Sequence, residues 1–444
     1  MNKTKEIQNK KINARLYPIY KMFSWDLLFY YSIIYLFLNQ VKNFSASQIL
    51  LSEAFFTTSC LVLQIPMGIL VDKLGKKNSL VFANLCMCIF ITILMLTQNY
   101  VQLLIALFID AVGYVIKGIC ETNILYDSLP RGKKRGHLYS TIDGVGSARY
   151  YVIDAVTSLI AGFTFVIQPY LPLILCLIGN IIATILSTRF KHTQMPSKES
   201  SSKTSDSDAK EYLKQLKEAI SFSIKSKRML CLLIFFGLIS GLNYNLTTFR
   251  GGILKQIQLP EQYFGIVFAI IQIAAATFAG MQSKIHKRFR NRTLSVLGIN
   301  LTIPLILVGM LANGNIEIIK TILIISLFVL MGGIKGAHNV LTYRYLNNFT
   351  NRKIRIKLAT VRNLVYNIFS ILISLLGAWL LSFSSAGNSV IIIGIISSVI
   401  LILLLHYMKD KVGLTIEKYS SRDLKYSHIK NFQERKEYES KTRI

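Results

Sequence analysis

Long apolar blocks alternate with short polar segments along almost the whole chain, and runs such as Leu27–Leu38 and Ile391–Leu405 are apolar on every helical face. A bilayer core of about 30 Å needs about 20 helical residues, because backbone polar groups there must be paired within the segment. The pattern predicts twelve membrane-spanning helices near 17–38, 48–70, 79–97, 101–124, 138–166, 170–188, 229–249, 262–281, 294–312, 318–342, 358–381 and 388–408. A polar stretch from Arg189 to Arg228 separates the sixth span from the seventh. Its Ser-rich part, Ser197–Ser207, has the composition of a flexible linker. Leu213, Leu216, Ile220 and Ile224 follow at helical spacing among lysines, which fits either an amphipathic helix on the membrane surface or a solvated helix. The expected organisation is an N-terminal six-helix bundle (1–190), a cytoplasmic linker (191–227), a C-terminal six-helix bundle (228–410) and a basic cytoplasmic tail (411–444).

Composition sharpens this picture. The chain is 52% hydrophobic yet carries a formal charge of +29, with 51 basic and 22 acidic residues. The basic residues sit between apolar blocks rather than along one exposed surface, which argues against a nucleic-acid partner. Nearly all fall in alternate loops and the two terminal segments; only Lys42, Arg250, Lys255 and Lys320 belong to the other side. That asymmetry places both termini in the cytoplasm of a multi-pass cell-membrane protein, with attraction to membrane lipid as a secondary effect. All six cysteines lie inside apolar blocks, and Cys86-Met87-Cys88 has no second pair or histidine cluster to complete a metal site. The first apolar run follows basic residues but is too long for a cleavable leader. No phosphate-binding loop, metal spacing or nucleophile elbow is written here, so neither a cofactor nor an enzymatic activity is expected.

The two halves repeat. Ile116-Lys117-Gly118 in the fourth span recurs as Ile334-Lys335-Gly336 in the tenth; Asn123 and Tyr126 follow the first triplet, Asn339 and Tyr343 the second. Paired halves around a central pathway are how many transporters are built. The loop after the second span reads Gly68-Ile-Leu-Val-Asp72-Lys73-Leu-Gly75-Lys76-Lys77. It resembles the G-x-x-x-D-[RK]-x-G-[RK]-[RK] signature of the major facilitator superfamily, at the place where that family carries it. The resemblance implies two pseudo-symmetric six-helix bundles and a cytoplasmic latch of Gly68, Asp72, Gly75, Lys76 and Lys77 that holds the outward-facing state. Gly68 would permit close helix approach and Gly75 the tight turn. Gly280 to Arg288 in the second half keeps the glycine and the cations, with Lys284 in the aspartate's place. The run from Lys117 to Leu129 is similar to G-x-x-E-x-x-x-x-Y-D-S-L in bacterial exporter-type members, which implies Asp127 as a partner of Lys76. Asp110 stands near the place where drug exporters carry an arginine, and the fifth span lacks their Gly-Pro stretch.

Charges within the hydrocarbon are costly and face a cavity or a partner. Asp110, Lys117 and Glu121 share one helical face, and Lys117 and Glu121 stand at pairing distance i, i+4. Asp143 and Asp154 share another face, with Arg149 directed elsewhere. The expected substrate or proton pathway comprises Asp26, Asp110, Lys117, Glu121, Arg149 and Lys335; Asp143, Arg250 and Arg362, near helix ends, are expected to be structural. The function expected is secondary active transport of a small molecule by alternating access, as proton-coupled export by a monomer. Two other readings are an uptake symporter for a sugar, amino acid or anion and a non-transporting receptor or assembly partner.

Overall fold

A computed structural model of the chain describes residues 3–130, 135–191, 214, 217–315, 317–348, 352–412 and 414. These residues are helical or form turns, without a strand. Leu213, Leu216, Ser197–Ser207 and nearly all of the basic tail lie outside the described residues. Ile220 and Ile224 belong to a helical stretch over 217–225, which buries Ala219 and Phe222 in the core and leaves Ile224 exposed.

The first crossing begins with α1 (Lys3–Ser24), loses regular helix, and resumes at Ile34–Leu36 and a π-helical turn, Phe37–Val41. The remaining helices are α2 (Ala46–Leu74), α3 (Lys76–Leu96), α4 (Tyr100–Ser128), α5 (Arg135–Ile167), α6 (Leu171–Thr188), α7 (Lys227–Gln256), α8 (Gln262–Phe289), α9 (Thr293–Ala312), α10 (Ile318–Asn348), α11 (Arg352–Leu381) and α12 (Ala386–Met408). Eleven helices, all but α1, are long and apolar enough to cross a membrane. With the interrupted first segment they make twelve crossings. Ser45, Asn99, Ser226 and Ser385 cap α2, α4, α7 and α12 by accepting an amide hydrogen bond three residues on. Gly75, at φ +78°, both ends α2 and starts α3, so the turn in the signature loop needs a residue without a Cβ.

Helices α1–α6 pack among themselves, as do α7–α12, and the two bundles meet chiefly through α2 on α11 and α5 on α8. The meeting is one-sided. One end of the bundle carries the loop between α2 and α3 and is here termed the basic end; the other is the far end. Near the far end Ser47 Oγ donates to the Ala378 carbonyl at 2.7 Å, and Lys255 bonds Asn39. A Cβ on Gly377 would meet Leu50 at 3.0 Å, and one on Gly162 would lie 2.8 Å from the Gly265 amide. Toward the basic end the corresponding glycines stand free: Gly68, Gly144 and Gly280 would each meet nothing within 4 Å. Gly68 lies a whole number of helical turns from Leu50, and Gly144 from Gly162, so each shares its helix's bundle-facing side. The close approach expected at Gly68 is therefore absent in this state. The bundles touch at the far end and part toward the basic end.

Candidate transport site

The break in the first crossing organises the site. Residues 25–33 contain no glycine or proline, yet Phe29 takes φ +63°, in the left-handed region that a bulky side chain disfavours. Aromatic packing holds the distorted segment. The Trp25 ring lies 5.1 Å from Tyr150 and 5.2 Å from Tyr151 of α5, while Tyr30 sits 6.0 Å from Phe90 of α3. Asp26 falls inside the break, and its Oδ1 accepts only from its own segment, from the Leu27 amide (3.0 Å) and the Tyr31 hydroxyl (2.7 Å). The sequence-predicted continuous helix over 17–38 is thus corrected to a discontinuous one. Discontinuous spans free backbone polar groups where a substrate or ion can use them, so they are found where protein or a water-filled cavity surrounds them.

Around this break the N-terminal half gathers carboxylates. Glu121 of α4 accepts from Ser24 Oγ at 2.9 Å and also bonds Tyr20, whose hydroxyl accepts from Asn84 at 3.0 Å. No ion pair joins Lys117 to Glu121, although both are buried. The expected i, i+4 pair is replaced because the end of α1 supplies donors to the carboxylate. Lys117 acts on Glu121 and Asp110 electrostatically and bonds neither. Asp154 of α5 is buried and accepts from Gln272 of α8 at 2.6 Å, across the bundle boundary. Glu53 of α2 accepts from Tyr244 of α7 at 2.5 Å, again across the boundary. Asp143 pairs with Lys21 of α1 at 2.5 Å and accepts from Tyr17 at 2.9 Å, while Lys21 also covers the Trp25 ring at 4.4 Å.

The C-terminal half presents the opposite sign. Between Lys227 and Met408 the only acidic residues are Glu261 and Glu317, and both lie in connections between helices. Arg250 of α7 is buried between the rings of Phe268 (4.9 Å) and Phe328 (5.5 Å), with no hydrogen-bond partner for its Nε. Lys335 of α10 is half-buried and feels Arg250, Asp26 and Asp154, yet forms no ion pair among the described residues. Tyr114, midway along α4 and close to Asp26, Asp110 and Tyr366, keeps 47% of its surface open. These groups face a space between the halves.

Not every expected residue joins them. Arg149 shares the outer arc of α5 with the exposed Val145, Val152 and Val156, away from Asp154. Its length lets it run along that face toward the helix end. The aromatic members Trp25, Tyr31, Tyr114, Tyr150, Tyr151 and Tyr366 were not among the expected site residues; adjacent tyrosines inside two spans, Tyr30-Tyr31 and Tyr150-Tyr151, were the available signal. In the signature loop Lys76 pairs with Asp127, and Arg135 bonds the Tyr126 carbonyl while stacking on its ring at 3.8 Å. Both contacts stay within the N-terminal half. Asp72 is exposed and Lys77 half-buried. Gly118 and Gly336, equivalent in the repeat, differ: a Cβ on Gly118 would meet open space, whereas one on Gly336 would collide with the Ala275 carbonyl.

Two bundles of six, an interrupted first crossing and ionisable groups at their boundary describe a transporter. The sequence model of the Major Facilitator Superfamily matches residues 19–328. The chain belongs to the major facilitator superfamily. No curated protein matches it. Among solved structures it is similar to the nucleoside transporter NupG, with a TM-score of 0.68 and 13% identity over 91% of this chain and 99% of that one. It also resembles a bacterial homologue of the human lysosomal transporter Spinster in an inward-facing, unoccupied conformation (TM-score 0.61, 13% identity, 91% and 95% covered). A third is a POT family transporter in complex with 5-aminolevulinic acid (TM-score 0.59, 14% identity, 90% and 95% covered). At such identities the likeness establishes the fold. This superfamily member is a multi-pass membrane transporter and not an enzyme.

Proposed function

We propose that the protein is a proton-coupled secondary transporter of a small molecule, working in the export direction by alternating access from the cell membrane, with both termini cytoplasmic. The observation that carries the reading is the broken first crossing, which sets Asp26 at the boundary of the two bundles with hydrogen bonds only to its own segment. A carboxylate there is presented to either side in turn as the bundles rock, which is the position a coupling group requires. The cation-rich loops put the basic end in the cytoplasm. The bundles part at that end, so the conformation is inward-facing, ready to load cargo from the cell. Export rests further on the exporter-type run from Lys117 to Leu129. Asp26, Asp110, Lys117, Glu121 and Lys335 form the substrate and proton pathway. Gly68, Asp72, Gly75, Lys76, Lys77 and Asp127 form the cytoplasmic gate of the outward-facing state.

The test uses the full chain in proteoliposomes loaded with a pH-sensitive dye and presented with nucleosides, amino acids and dipeptides. A transported compound should move protons in the opposite direction. Asp26→Asn should abolish that proton movement and lower gradient-driven transport at least tenfold while retaining insertion. Substrate movement without proton movement would remove the coupling ion, and wild-type transport by Asp26→Asn would remove the site.

A further inference from the structure

The carboxylates at the bundle boundary all come from one half. The N-terminal half contributes Asp26, Glu53, Asp110, Glu121 and Asp154, with Lys117 beside Asp110 and Glu121, whereas the C-terminal half contributes Lys335 and Arg250 and no carboxylate. Opposite charges at a bundle boundary would ordinarily satisfy one another. Here Lys335 lies within the field of both Asp26 and Asp154, yet no ion pair joins it to either. Nor does Arg250 find a carboxylate; two aromatic rings flank it, and its Nε has no partner although the residue is buried. Burying a cation without a counter-ion is costly, and a bound anionic group would offset that cost. Asp26 correspondingly accepts only neutral donors from its own segment. Aromatic side chains surround this carboxylate: Tyr31 donates to it, Trp25 packs tilted against Tyr150 and edge-on against Tyr151, and Tyr114 keeps nearly half its surface open. Such rings pack against an apolar or planar body and also favour a cationic end.

We infer that the substrate is a small zwitterion whose ammonium group is bound by Asp26 of the N-terminal half and whose carboxylate is bound by Lys335 and Arg250 of the C-terminal half. This deepens the site reading made above and depends on it. A molecule of this kind bridges the halves through its own two charges. A neutral or singly charged molecule would leave Asp26 or the Lys335–Arg250 pair without a counter-charge, which gives the site a basis for selection. Three of the other carboxylates have their own partners: Glu121 is held by Ser24 and Tyr20, Asp154 by Gln272 and Glu53 by Tyr244, while Asp110 lies in the field of Lys117 on its own helix.

Thermal stabilisation of the full chain in lipid nanodiscs tests the inference. The probes are free L-amino acids and dipeptides, the N-acetyl and C-terminal amide form of each, and uridine as a neutral compound. At least one free zwitterion should stabilise the protein, and capping either end should weaken its binding at least tenfold. Asp26→Asn should erase the distinction between the free and N-acetyl forms, and Lys335→Met the distinction between the free and amide forms. Asp26→Glu and Lys335→Arg should retain both distinctions and report that the fold survives substitution at each position. Absence of stabilisation by every zwitterion overturns the inference, as does equal stabilisation by capped forms. Stabilisation by uridine that disappears in Asp26→Asn overturns the zwitterion while leaving the central site in place. Zwitterion binding unchanged in both neutral variants overturns the site as well.

Discussion

Lys21 and Asp143 show how one residue pair can bind a broken helix to its neighbour. Lys21 is buried on α1, four residues before the break, and its amine meets Asp143 of α5 beside the Tyr17 hydroxyl. A Cβ on the neighbouring Gly146 would lie 3.0 Å from the lysine Cδ, so the lysine stem is packed along α5 as well. Removing one partner of a buried pair strands the other charge, typically at about 3–5 kcal/mol. Asp143 is partly open to water, which favours the lower end of that range. Lys21→Met should therefore lower the unfolding temperature measured by fluorescence-detected chromatography. Lys21→Met/Asp143→Asn should recover most of the loss, because two neutral groups of similar shape leave no orphan charge. Equal instability of the single and double variants would show that the lysine acts through packing alone. The sequence could place Asp143 near a helix end, but Lys21 as its partner depended on α1 lying against α5.

At the scale of elements, α5 and α8 read as paired levers. They cross closely at Gly162 and Gly265 near the far end, while Gly144 and Gly280 stand free toward the basic end. Because Gly144 shares the helical face of Gly162, rocking the two helices about their middle would bring it toward α8. The expected outcome for Gly144→Cys/Gly280→Cys is a disulfide that forms only when the far end opens. Cross-linking should arrest transport, and reduction should restore it. A pair that links equally well in the present conformation would contradict this motion. Helices α2 and α7 supply the opposing restraint through Glu53 and Tyr244. An ionised carboxylate accepts such a bond more strongly than an amide. Tyr30, Asp110 and Tyr366 are the other titratable groups that feel Glu53, from the first crossing, α4 and α11. Glu53→Gln and Tyr244→Phe should each raise the labelling rate of a cysteine placed at Ser47 severalfold, by releasing the far end. An unchanged rate in both variants would assign the far closure to Lys255–Asn39 and the close crossing at Gly162 and Gly265.

For the whole molecule, the proposed orientation rests on where the cations lie. With the native cysteines replaced, Lys287→Cys should react with an impermeant thiol reagent only from the cytoplasm and Lys320→Cys only from outside. The reverse pattern would invert the gate assignment and turn an inward-facing conformation into an outward-facing one. The exporter direction would need a new argument, since the open end would no longer face the source of cargo.

Hydropathy is a local, additive property, so about 20 apolar residues specify a crossing without reference to any other helix. For this reason the spans, the internal repeat and the superfamily signature were legible in the residues alone. The break at Asp26 was not, because the segment from Trp25 to Ile33 has neither glycine nor proline and is held open by rings from α3 and α5. Pairing was equally hidden. Lys117 and Glu121 had ideal spacing on one helix, yet Ser24 and Tyr20 reached the carboxylate from another. Arg149 had the right residue type but the wrong arc of α5. A side chain in a bilayer bonds whatever polar group the neighbouring helix brings to it, so the identity of the site awaited the packing of one helix against the next.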